Sequence, residues 1–272
     1  MVPVLTMVFC VITLLVSLIL PILALVVYAL RHKKQGVWSA WGLGALGFVI
    51  PQMCIRSPIL AVLQKQNWFL LFAQNHLFAY TFCLAFTAGL FELAGRFATA
   101  QLMRKNLTAA RGLAAGMGHG GIEAMAFIGT AYINNLVFIL LLNSGGLDAL
   151  VSQTAAAGGD TAPLLYYRDT LCNTASILFL LAGLERLLTM ISHAAMSMLV
   201  CYGVAHKKAL PCALVCLAIH TCLDMAAGIP MLAGAAMSQA TAYCIVYLIL
   251  VIVAAAAVYL IRDLRRRWNP AP

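Results

Sequence analysis

The chain is built mostly from uninterrupted apolar stretches, each long enough to cross a lipid bilayer. Seven can be placed, at about 4–30, 36–63, 68–103, 112–143, 170–204, 209–230 and 240–261. A bilayer core demands roughly 20 helical residues. No water satisfies the backbone inside lipid, so a spanning chain must form either α-helices or a closed barrel. The runs are continuous and do not alternate apolar with polar residues, which selects helices. Only 9% of the 272 residues are charged, against the roughly 25% of a soluble domain. A soluble globular protein is excluded. The expected fold class is all-α, a polytopic membrane helical bundle of about seven transmembrane helices in the cell membrane.

The net charge of +9 would suggest nucleic acid in a soluble chain, but here the cations lie in short clusters between apolar runs. Arg31, Lys33 and Lys34, then Arg104, Lys105 and Arg111, then Lys207 and Lys208, then Arg262, Arg265, Arg266 and Arg267 fall on alternate loops. That places twelve on one side, against Lys65 and Arg168 on the other. The positive-inside rule then puts the N-terminus outside and the C-terminus in the cytoplasm. The partner expected from this pattern is membrane lipid, with no nucleic acid; oligomeric state is left open. The N-terminus lacks the positive region of a cleaved signal and reads as a retained anchor. Nine cysteines without a C-x-x-C pair read as packing residues. Arg56, between Pro51 and Pro58, reads as a side chain snorkelling to the headgroups.

Ionisable residues inside a bilayer are costly and usually face the bundle interior, paired. Glu92 and Arg96, His119 and Glu123, and His220 and Asp224 are each four apart, which puts each pair on one helix face. Glu185, Thr189, His193 and Ser197 continue the spacing on a fourth helix. Counted from the nearest basic cluster at about 1.5 Å per residue, Glu92, Glu123, His193 and His220 all lie roughly 18 to 21 Å deep, and His119 roughly 12 Å. Agreement in depth across four helices implies a shared polar cavity. Gly112, Gly116 and Gly120 recur every fourth residue beside His119, a spacing that lets helix backbones approach closely in lipid. Glu185 and Arg186 read either as an ion pair near the outer interface or as a break in a long span. The third and fifth runs exceed a simple span; their surplus either projects beyond the membrane or includes a break, for which Gly89, Gly95 and Gly183 are candidate weak points. No H-E-x-x-H, G-x-S-x-G or P-loop occurs.

The segments Phe-Glu-Leu-Ala-Gly-Arg at 91–96, Gly-Met-Gly-His-Gly-Gly-Ile-Glu-Ala at 116–124, Glu-Arg at 185–186 with a downstream His and Ser, and His-x-x-x-Asp at 220–224 resemble the YhfC family of intramembrane peptidases. That family is related to the CAAX-prenyl endopeptidase and bacteriocin-processing (ABI) proteases and to PrsW. The resemblance implies a four-helix catalytic core in which Glu92 activates water, Arg96 supports it, His119 is the second-motif histidine, and His220 with Asp224 forms the last motif. Two departures stand out. Glu92 is followed by Leu93 where many relatives have a second glutamate. Asp224 replaces an asparagine, which suits it to orienting His220 better than to donating to an oxyanion.

The expected activity is therefore intramembrane endopeptidase, hydrolysing bonds of a peptide or membrane-protein substrate with glutamate- and histidine-activated water. Glu92, His119 and His220 are the candidate catalytic residues, and Arg96, Glu123, His193 and Asp224 the supporting ones. A carboxylate and imidazoles can supply both a base and oxyanion stabilisation. No ligand pair has zinc-specific spacing, so a metal-free glutamic mechanism with no cofactor is favoured. Zinc held by His119, His193 and His220 is the metalloprotease alternative. The rivals are a proton-coupled transporter, for which no internal repeat is found, and a non-catalytic scaffold. The whole chain, 1–272, is expected to be a single membrane domain. Within it, 1–66 supplies two accessory helices, 68–230 the catalytic core with an external loop at about 144–169 that holds a short helix at 147–157, and 240–272 the last helix and a basic cytoplasmic tail.

Overall fold

The computed structural model describes residues 1–268 and is helical throughout, with no strand among the described residues. Seven helices are long and apolar enough to cross a membrane: α1 Val4–Arg31, α2 Val37–Leu63, α4 Leu77–Leu102, α5 Ala109–Asn143, α8 Ser176–Ala205, α9 Ala209–Ala227 and α11 Gln239–Trp268. Four short helices lie between them: α3 Asn67–Asn75, α6 Gly146–Ala156, α7 Ala162–Asn173 and α10 Ile229–Ala233. The protein is a multi-pass membrane helical protein. Large apolar side chains such as Leu5, Leu23, Phe78, Leu140, Leu214 and Leu248 face outward, as a lipid solvent permits. The last four residues of the expected basic tail, 269–272, lie outside the described residues.

Both over-long runs contain a break, at places other than the candidate glycines. The third divides at His76 into α3 and α4. The fifth begins later, at Ser176, after α7 has ended at Asn173. Helices run straight through Gly89, Gly95 and Gly183, because neighbouring helices use the missing side chains as close-approach points. Two of the three π-turns among the described residues have proline as their cause; the third, Met125–Gly129 in α5, has no proline near it. Proline has no N–H for the carbonyl four residues earlier. In α1 the backbone widens to a π-turn at Leu15–Ile19 just before Pro21, and in α2 a longer π segment, Val49–Arg56, contains Pro51. Such widened turns are a known response to a broken hydrogen-bond ladder.

The chain forms two compact units. The first comprises Met1–Ile22 and Ala124–Leu187. Its core is Val2, Cys10, Tyr132, Ile139, Leu171 and Phe179. Its interhelical polar contacts are made mainly by neutral side chains. Thr6 and Ser176 share a hydroxyl hydrogen bond at 2.7 Å, and the carbonyl of Phe179 accepts from Thr13 at 2.6 Å and from Tyr132 at 2.9 Å. Gly183 is needed where α8 meets Thr13, since a methyl there would press on that side chain. Glu185 and Arg186 pair with each other.

The second unit comprises Leu23–Glu123 and everything from Leu188 onward. Its helices are brought together by missing side chains. A Cβ at Gly44 would strike the backbone of Ala115, one at Gly118 the backbone of Trp41, and one at Gly116 the backbone of Ala194. The Gly112–Gly116–Gly120 ridge thus packs directly on α8: Gly112 lies on Cys201, Gly116 on Ala194 and Gly120 on His193 and Met190. Small residues at this spacing replace the hydrophobic drive that lipid cannot supply. The same close packing sets the depth and rotation of the polar side chains on α5 and α8.

Candidate functional site

Seven ionisable side chains named from the sequence, Glu92, Arg96, His119, Glu123, His193, His220 and Asp224, all belong to the second unit and are linked to one another. Glu92 is the hub. It sits on α4 with 3% of its surface exposed, and its Oε2 lies 2.8 Å from His220 Nε2, 2.9 Å from His119 Nε2 and 3.0 Å from Arg96 Nη2. The Glu92–Arg96 contact follows from helical spacing alone. The two histidine contacts require α5 and α9 to approach α4, and Gly89 lies where α9 packs: a Cβ there would sit 3.1 Å from Leu217 Cδ1 and in ordinary contact, 3.4 Å, with the Cβ of His220.

Arg96 has only donors, and its neighbours fix what it does. Nη2 donates to Glu92 and, at 2.6 Å, to Nδ1 of His193, while Nε donates to Ser197 Oγ at 3.2 Å. His193 Nδ1 must therefore accept. Its proton sits on Nε2, which lies 3.0 Å from Glu123 Oε2. Arg96 thus pairs with Glu92 and not with Glu123, because His193 stands between them and pairs with Glu123. His119 and His220 each present a protonated Nε2 to the carboxylate of Glu92. Behind His220, its Nδ1 lies 3.5 Å from Asp224 Oδ2, an ion-pair distance rather than a hydrogen bond. The Nδ1 of His119 has no hydrogen-bond partner among the described residues.

The imidazoles also pack on one another. The rings of His119 and His193 stack at 5.6 Å, and His220 meets His193 edge-on at 5.4 Å. Phe48 of α2 closes the group with its ring edge-on to His119 at 5.3 Å. Burying this many ionisable groups is tolerated only when each is paired. Glu92, Arg96, His119, His193 and His220 are all nine-tenths buried or more, whereas the side chain of Asp224 is 38% exposed. The centre thus has a sealed interior and one accessible carboxylate at its edge. A separate cavity of about 380 Å³ lies between α8, α9 and α11, lined by Met196, Ile219, Leu223 and Val253 among others. Its walls are almost wholly apolar and contain none of the seven ionisable residues.

The donor set suits a metal. Glu92, His119 and His193 offer ligand atoms that all lie within 4.8 Å of one another, and one carboxylate with two imidazoles is a recurrent zinc environment. Two of the histidines that surround the hub have a carboxylate behind the other ring nitrogen, Glu123 for His193 and Asp224 for His220. Metal-ligating histidines are typically oriented in this way. The ligands come from α4, α5 and α8, one from each, so no ligand spacing exists in the sequence to be recognised. The missing zinc signature therefore does not count against a metal. The assembled set includes Glu92 in the place the sequence reading gave to His220, and His220 reaches the same carboxylate oxygen.

Sequence reasoning passed over two contributors. Phe48 carries no chemical signal of its own. Arg56, read as snorkelling, is instead 9% exposed and donates to the Leu84 carbonyl at 2.7 Å and to Thr87 Oγ1 at 3.3 Å, both on α4. Its proline-flanked position on a π segment was the available clue.

Fold and site together define a multi-pass membrane protein that keeps a carboxylate–imidazole centre inside its helices. The chain belongs to the YhfC intramembrane metalloprotease family, whose model matches residues 16–253. It is similar to the uncharacterized membrane protein YhfC of Bacillus subtilis (strain 168), with 29% identity over 196 residues, 72% of this chain and 74% of that one. No solved structure matches it.

Proposed function

We propose that the protein is an intramembrane endopeptidase whose hydrolytic centre is Glu92 with His119, His193 and His220. The observation that carries this reading is the convergence of three imidazoles from three helices on one buried carboxylate. A scaffold would need no such group, and family membership points to proteolysis. Glu92, His119 and His193 would hold the metal, zinc by donor type. Bound there, such an ion supplies Lewis-acid polarisation and a water acidic enough to attack near neutral pH. The chain's own groups do the rest. Arg96 pairs with Glu92 and holds His193 in one tautomer. Glu123 orients His193. His220 donates its Nε2 proton toward developing negative charge, and Asp224, the partly exposed carboxylate beside it, steadies the ring.

One observation favours the metal-free alternative. Arg96, a permanent cation, already lies 3.0 Å from Glu92 and 2.6 Å from His193, two of the three metal donors. Without a metal, Glu92 is the base that takes the proton of the attacking water. Two measurements decide. Membrane-peptide proteomics of cells carrying the wild-type protein or Glu92→Gln should show peptides that depend on Glu92; identical profiles would return the protein to the scaffold reading. Elemental analysis of purified protein should find about one zinc per chain, lost in His119→Ala; metal-free protein with full activity would establish the glutamic mechanism. The charge asymmetry of the loops further supports a cytoplasmic C-terminus, which a reporter fused after Arg267 would test.

A further inference from the structure

Helix α2 runs against α4 in a register that several contacts define. Thr99 donates to the Leu43 carbonyl at 3.0 Å, Gly47 meets Gly95, Pro51 lies against Gly95, and Arg56 reaches Leu84 and Thr87. The two helices are antiparallel. Position 52 of α2 therefore stands opposite the turn of α4 between residues 88 and 92, the turn that carries Glu92. Phe48, one turn away on the same face, touches His119. Phe48, Gln52 and Arg56 form a buried stripe with exposures of 0%, 7% and 9%, and Arg56 interacts electrostatically with both Asp224 and Glu92. This face of α2 is a wall of the active centre.

Gln52 is the anomaly in that wall. It is 93% buried, and its Oε1 has no hydrogen-bond partner among the described residues. An amide in a bilayer ordinarily serves as interhelical glue, and a buried unpaired acceptor is a cost that a leucine or methionine would avoid. The backbone around it is held in an unusual form: Gln52 lies in the π segment Val49–Arg56, and Ser57 Oγ donates to its main-chain carbonyl at 2.9 Å. π-turns of this sort occur often at functional sites.

A peptide bond can be cleaved inside a membrane only after the substrate helix has locally unwound, and the N–H and C=O groups thereby released cannot find water in lipid. The centre must supply their partners. A glutamine side chain is itself a primary amide, with an acceptor and donors, and it can pair with an extended backbone as an adjoining strand does. We propose that Gln52 is a substrate-binding residue whose amide pairs with the unwound backbone of the peptide beside Glu92. Arg56 is a positioning residue that fixes the register of α2 on α4 and so the place of Gln52. This inference rests on the protease reading for its substrate class.

The test uses the full chain in proteoliposomes on a Glu92→Gln background, so that nothing is cleaved. The probe is a lysine-flanked leucine–alanine transmembrane peptide with a central Gly-Gly, compared with its analogue N-methylated at both glycines. Binding is read by energy transfer between labelled peptide and labelled protein. With Gln52 present, N-methylation should weaken binding about tenfold. In Gln52→Leu that discrimination should vanish, and Gln52→Asn should keep part of it. Gln52→Met and thermal unfolding control for packing. If Gln52→Leu still discriminates, or if Gln52 itself does not, the proposal is overturned, and a bound water is then the occupant of the Oε1 site. Cleavage with Glu92 restored separates the two readings. Gln52→Leu should raise KM several-fold more than it lowers kcat. Unchanged KM and kcat alongside Glu92-dependent cleavage would overturn the role of Gln52 and leave the protease standing. Gln52-dependent discrimination without any cleavage would do the reverse.

Discussion

The two units bury polar residues in opposite ways. In the first, the interhelical contacts are hydroxyl to hydroxyl or hydroxyl to carbonyl: Thr6 with Ser176, and Thr13 and Tyr132 with the Phe179 carbonyl. Each such group is neutral and has a partner within 3 Å, although the buried Ser17 Oγ of this unit has none among the described residues. In the second unit, one arginine, one glutamate and three histidines share a single carboxylate oxygen and one ring nitrogen, and His119 Nδ1 and Gln52 Oε1 are left without partners among the described residues. Neutral pairing is sufficient to hold helices together in lipid. The costlier arrangement is explained by chemistry, because helix packing alone would not require it.

The comparison breaks most visibly through activity. Glu92→Gln should lower proteolysis by about 10²- to 10⁴-fold, the range for losing a general base and a loss also expected if Glu92 holds the metal, whereas Thr13→Val should leave the turnover rate near that of wild type; equal losses in the two variants would show that both units serve only structure. Stability should separate them next. Arg96→Ala leaves a buried carboxylate without its cation and should destabilise the protein by about 3–5 kcal/mol. Denaturant unfolding in detergent would read this, and recovery in Arg96→Lys would assign the effect to charge. Metal affinity gives a smaller effect. Glu123→Gln removes the carboxylate behind His193 and should weaken zinc binding by about 10- to 100-fold, measured by competition with a chelator; unaltered affinity would place His193 outside the ligand set. The smallest change belongs to the neutral unit, where Thr13→Val should cost about 0.6 kcal/mol, the mean for an interhelical hydrogen bond in a membrane. A loss several times larger would mean that the Phe179 carbonyl needs both of its donors.

Much of this centre is legible in the chain because its strongest signals are local. Glu92 and Arg96 pair through helical spacing, and the depth count brings Glu92, Glu123, His193 and His220 to one layer without any structure. His119, counted as shallower, nonetheless reaches the same oxygen as His220. A depth count treats side chains as points on the helix axis, and an imidazole can lean along it. The pairing of Glu123 with His193 was not legible, since it depends on how α5 is rotated against α8, and that is set by Gly116 on Ala194 and Gly120 on His193. Glycines were candidate weak points, yet the breaks fall at His76 and just before Ser176, while glycines mark the contacts.

By itself the sequence determined that this chain lives in a membrane, that it crosses in seven helices, and that Glu92, His119 and His220 belong together. Hydropathy and i, i+4 spacing are one-dimensional quantities imposed by bilayer thickness and helical pitch. Tertiary structure alone decided that one oxygen of Glu92 collects three donors, that His193 is shared between Arg96 and Glu123, and that Arg56 of α2 binds α4 while Gln52 is buried. Those outcomes depend on the rotation and register of one helix against another. Both are fixed by close backbone contacts between residues far apart in the chain, such as Gly47 with Gly95 and Gly44 with Ala115, where no pattern along the sequence records which surface will meet which.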